Sequence, residues 1–68
     1  MRMISKENDE ATLVISSGDL AFLQSAINET MEALSDEEIS IRTGATMERA
    51  QAMIDKIKAI RSAIHSKR

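Results

Sequence analysis

Two stretches of this chain place apolar side chains at gaps of three and four residues. Nothing else in the sequence constrains its fold as tightly. In the first stretch they are Leu20, Leu23, Ile27, Met31 and Leu34; in the second, Ala50, Met53, Ile57, Ile60 and Ile64. An α-helix turns about 100° per residue, so such gaps keep the side chains on one face. Both stretches are therefore predicted to be amphipathic helices, with Leu20, Leu23, Ile27, Met31 and Leu34 packed against Met53, Ile57, Ile60 and Ile64. Phe22, Ala26 and Ala33 widen the first face; Met47 and Ile54 broaden the second. The second seam spans only two heptads, too short for a free coiled coil, so it is expected to pack on the first helix.

Local signals divide the rest of the chain. Ser35 with Glu38 three residues on is a capping box, and Asp36, Glu37 and Glu38 sit where the helix dipole favours acids. A short helix is expected there, stopped by Gly44 at a left-handed C-cap. Thr46 then caps the last helix, and Ser17 or Asp19 is available to cap the first. Upstream, Ala11–Ser16 (ATLVIS) is the only β-like run. The fold expected is mainly α: a short N-terminal β-strand followed by three helices, long, short and long. Residues 1–10 form a mobile polar arm in this reading, and residues 11–66 one small helical domain.

A strand must pair its backbone groups. With no second strand expected in the chain, the 11–16 strand is predicted to pair between molecules, either in a homodimer or on the sheet edge of a partner. Leu13 and Ile15 are then contact residues.

Composition removes most chemistry. The 68 residues include no cysteine and a single histidine, His65, which excludes disulfides, thiolate sites and a zinc centre. The acids Asp36, Glu37 and Glu38 are adjacent and cannot all face one pocket. No Gly-rich phosphate loop is present, and Phe22 is the only aromatic, which disfavours base stacking on single strands. No enzyme, cofactor, metal or small-molecule substrate is expected. Neither a signal peptide nor a membrane-spanning stretch is visible, so a cytoplasmic protein with no membrane partner is expected.

Charge is distributed unevenly. Between Lys6 and Arg42 there is no Lys or Arg, and nine of the eleven acids lie in that stretch. From Arg42 onward seven bases meet only Glu48 and Asp55. Helix capping accounts for Asp19, Asp36–Glu38 and Glu48, and the dipole favours the bases near the C-terminus. Glu29 and Glu32 on the polar side of the first long helix, and Arg42 beside the Gly44 turn, have no such reason. They are candidate partner-binding residues.

Residues 36–54 (DEEISIRTGATMERAQAMI) resemble a helix-turn-helix. Ser40 matches the small residue of the first helix, Gly44 the turn glycine, and Ala50 and Met53 the apolar places of the second. The resemblance implies a dimeric DNA-binding regulator in which Thr46, Arg49, Gln51 and Lys56 face the major groove. A looser resemblance, to ribbon–helix–helix repressors, rests on a self-pairing strand followed by two helices with a glycine turn before the second.

Taken together, the residues point first to a small non-enzymatic protein-interaction module. A self-pairing strand and an acidic surface able to cover a basic groove suit the antitoxin or immunity partner of another protein. The helix-turn-helix regulator is the alternative.

Overall fold

A computed structural model describes residues 1–66. The chain runs β1 (Arg2–Glu7), β2 (Glu10–Val14), α1 (Ser17–Ala33), α2 (Asp36–Thr43) and α3 (Met47–Ser66). The protein is thus a small, mainly helical domain with an N-terminal β element.

The strand does not lack a partner within the chain. β1 and β2 form an antiparallel hairpin, with Met3 opposite Leu13, Lys6 opposite Ala11 and Glu7 opposite Glu10. Part of the segment expected to be a polar arm is therefore a strand, and β2 begins one residue earlier and ends two residues earlier than the run 11–16. The two-residue loop Asn8-Asp9 closes the hairpin. Asn8 has φ 56°, the positive value that primed hairpin turns demand and that asparagine tolerates better than most residues. A break in register between Met3 and Ser5 leaves Ile4 at a bulge. Every residue of both strands is exposed.

Caps set the helix limits. Ser16, not Ser17 or Asp19, caps α1: its Oγ accepts from the Asp19 N–H at 3.0 Å. Gly18 lies inside the first turn. At α2 the reciprocal capping box forms, with the Glu38 N–H donating to Ser35 Oγ at 3.2 Å and the Ser35 N–H donating to Glu38 Oε1 at 2.9 Å. Gly44 ends α2 in the left-handed region, φ 74°, and its N–H donates to the Ser40 carbonyl. Thr46 Oγ1 accepts from the Arg49 N–H at 3.0 Å and so starts α3.

α1 and α3 run antiparallel. Ser17 Oγ lies 2.9 Å from His65 Nε2 at one end, and the Arg61 guanidinium donates to Gln24 Oε1 at 2.8 Å further along. α2 covers the other end. The buried core is Leu20, Ile39, Ile54 and Ile57, all apolar. The face of α3 turned inward is therefore Ala50, Ile54, Ile57 and Arg61, not the heptad seam. Met53, Ile60 and Ile64, expected in the core, are each more than two-fifths exposed.

Candidate functional site

Two apolar surfaces stand out. The first is a groove of about 280 Å³ where the three helices meet. α1 supplies Ala26, Ile27 and Thr30, α2 supplies Ile39 and Thr43, and Ala45 with Ala50, Met53 and Arg49 closes the far wall. Small side chains make it a groove rather than packed core: three of its residues are alanines. Arg49 is the one charged group on its rim.

The groove merges into a flank of α3. Arg49, Met53, Lys56, Ile60 and Ile64 recur at helical spacing on one side of that helix, so apolar and basic groups alternate along it. Met53 belongs to the groove and also, with Lys56, to a more polar cleft under the hairpin that Ser5, Lys6, Glu10 and Thr12 line.

The second surface is the outer side of α1. Phe22 was expected to widen the core face, but it is 72% exposed. It stands two positions on from buried Leu20, which places it about 160° away around the helix. Ala26, Glu29 and Ala33 follow it at helical spacing, and all are exposed. The same rule splits α2: Ile39 is 1% exposed and Ile41 is 75% exposed.

The proposed partner-binding residues are not brought together. Leu13 is exposed on the hairpin and Ile15 is half-buried between β2 and α1. Glu29 lies twelve residues into α1, about 18 Å from its start, with Glu32 beyond it on the same outer side. Arg42 is exposed on α2.

The proposed DNA-contacting residues divide similarly. Arg49 and Lys56 share one flank of α3. Gln51 points from the other, its Nε2 donating to Asp55 Oδ1 at 3.1 Å, and Thr46 is engaged as a cap.

Charges are little neutralised internally. Among the described residues the one ion pair joins the N-terminal ammonium to Asp19 at 3.4 Å, with both groups about half exposed. Among those residues also, no three His, Asp or Glu side chains gather as a metal-binding group. Among the described residues no helix is long and apolar enough to cross a membrane.

The sequence reading missed Phe22, Ile60 and Ile64 as exposed groups, and the groove as a whole. The signal for Phe22 was present in its two-residue offset from Leu20. The groove had no signal, because it arises from where α2 docks. No protein-family model matches the chain, and no curated protein or solved structure matches it either.

Proposed function

We propose that this chain is a small non-enzymatic protein-interaction module, of the kind that serves as the antitoxin or immunity partner of another protein. One observation carries the reading: the chain leaves too much surface uncovered. Its accessible area is 5408 Å² at a mass of 7.5 kDa. A folded monomer of that mass exposes about 4,200 Å². The excess, roughly 1,200 Å², is larger than one partner's share of a standard interface, about 800 Å².

The shape has the same cause. The chain extends 39 × 31 × 16 Å, and its radius of gyration is 13.7 Å where about 11 Å is usual for this length. The core between the helices buries only Leu20, Ile39, Ile54 and Ile57, and a partner can cover more of the apolar surface that stays exposed.

Three features suit a protein partner. The outer edges of β1 and β2 can accept another strand, as in β-augmentation or a homodimer through β2. Exposed Met3, Ile4, Leu13 and Val14 would gain burial there. Glu29 and Glu32 lie in a base-free stretch and match a basic surface.

The test is partner capture from the native host with three baits: wild type, Glu29→Lys/Glu32→Lys, and Leu13→Asp. A protein retained by the wild type and lost with either variant is the expected result. Retention unchanged by both variants would argue against these surfaces.

A second reading, the DNA-binding regulator, is favoured by Arg49 and Lys56 sharing one flank of the helix that follows the Gly44 turn. It predicts duplex binding that weakens with salt. Arg49→Ala/Lys56→Ala would reduce the salt slope by about two. No binding at low salt removes it.

A further inference from the structure

The walls of the groove between the three helices limit what can enter it. Ala26, Ile27, Ile39, Ala45, Ala50 and Met53 give it apolar sides. Two hydroxyls also line it, but each has given its proton to the protein's own backbone. Thr30 Oγ1 donates to the Ala26 carbonyl at 2.9 Å, and Thr43 Oγ1 donates to the Ile39 carbonyl at 2.7 Å. Thr43 Oγ1 also accepts from the Ala45 N–H at 3.1 Å. The side-chain donor left for a guest is the Arg49 guanidinium at the rim.

That guanidinium is free to meet an anion. No acid lines the groove, and among the described residues Arg49 belongs to no ion pair. Glu48, its neighbour in sequence, points about 100° away around the helix. No acid stands three or four residues from Arg49 on α3. A planar guanidinium matches a carboxylate, which it can hold through two parallel hydrogen bonds. A sugar, a nucleobase or an extended peptide needs partners spread along its length, and burying its polar groups against these walls would leave them unpaired.

We propose that the groove binds a small amphiphilic carboxylate, its alkyl chain lying between α1, α2 and α3 and its head on Arg49. Volume sets the chain length. The groove holds about 280 Å³. A water takes about 30 Å³ and a methylene group is of similar size, so a chain of about eight carbons fills the space. An apolar recess with one placed polar group is the ordinary make-up of a small-ligand site. This site goes beyond the interaction reading and does not depend on it, since Leu13, Glu29, Glu32 and the hairpin edges take no part.

The test is methyl NMR of the full chain during titration with octanoate below its micelle threshold, with octanol as the neutral control. Octanoate is expected to give saturable shifts at Ile27, Ile39 and Met53. None is expected at Ile41 or Leu13, which are exposed and do not line the groove. From butanoate to octanoate the affinity should rise by at least about tenfold, because each half-buried methylene contributes about a twofold gain. Arg49→Gln is expected to weaken octanoate about fivefold and to leave octanol unchanged. Far-ultraviolet circular dichroism of the variant should match the wild type, because Arg49 is exposed.

Equal shifts at Ile41, Leu13 and the groove residues would overturn the proposal, since octanoate would then be wetting apolar surface in general. Octanoate affinity unchanged by Arg49→Gln would overturn it by taking the anionic head away from the rim. Absence of saturation by about 10 mM would overturn it outright. None of these results bears on capture of a protein through Glu29 and Glu32.

Discussion

Ile39 and Ile41 look equivalent in the sequence, and the structure makes them opposites. Replacing each with alanine therefore tests the placement of α2. Ile39 is 1% exposed and is the only buried residue of its helix. The substitution removes three methyl or methylene groups, each worth about 0.8 kcal/mol when buried, or about 2.4 kcal/mol in all. A cavity term normally adds to this. Here Ile39 lines the open groove, so the space left is continuous with solvent and the cavity term is small. The expected loss is about 2–3 kcal/mol. A chain of this length is stable by roughly 3–10 kcal/mol, so the loss is a large fraction of the whole. Ile41 is 75% exposed, and its replacement should stay within about 0.5 kcal/mol. The assay is urea unfolding followed by far-ultraviolet circular dichroism, since the chain has neither Trp nor Tyr. Protein concentration must be held equal, because any self-association would contribute to apparent stability. With a slope near 1 kcal/mol per molar urea, the Ile39→Ala midpoint should fall by about 2 M and the Ile41→Ala midpoint by less than 0.5 M. Equal shifts would refute the orientation of α2 and, with it, the groove.

Other outcomes follow from single contacts. Gly44→Ala should cost about 1 kcal/mol in the same unfolding assay and Gly44→Asn less, because φ 74° is the whole difficulty and a β-carbon there would meet nothing within 4 Å. Gly18→Ala should instead stabilise by about 0.5 kcal/mol, since that residue sits in the first turn of α1 with only an ordinary contact to Ser16. Gln24→Leu should cost about 1–3 kcal/mol by removing the acceptor of the Arg61 guanidinium, whose Nε is already buried without a partner. The double variant Gln24→Leu/Arg61→Met should recover most of that loss in a double-mutant cycle.

The helices were legible because their signals are local. Spacings of three and four announced α1 and α3, and Ser35, Glu38, Gly44 and Thr46 act within a turn of themselves, so the ends of α2 and the start of α3 could be read directly. β1 was not legible: Arg2, Ser5, Lys6 and Glu7 offer no apolar alternation, and no face of the hairpin is buried to impose one. Its one mark was Asn8, a residue suited to positive φ, without the following glycine that usually flags such a turn. The inward face of α3 was misread for a different reason. The residues at 50, 53, 57, 60 and 64 and those at 50, 54, 57 and 61 both fit helical spacing, and the second set contains Arg61. An arginine can bury its stem while bonding its head, so hydrophobicity alone favours the wrong set. The choice between them depends on where α2 docks, which is tertiary information. The groove was hidden for the same reason.

The position of the acids has a consequence for how the two kinds of partner relate. The acids that begin helices are used locally, as at Glu38, and Asp19 meets the N-terminal ammonium. Glu29 and Glu32 are not used in either way. They stand on the same outer side of α1 as Phe22, Ala26 and Ala33. A basic partner that covered Glu29 would also reach Ala26 and Ala33, because residues three and four apart are neighbours on a helix surface. A second copy and a basic protein that both used α1 would therefore compete for one face. The hairpin edges lie on a separate element and remain free in either state. If both activities exist, the basic partner should convert the dimer into a one-to-one complex, and its apparent affinity should fall as the concentration of this chain rises. A partner that binds the intact dimer with unchanged affinity would have to use the hairpin or the α3 flank instead.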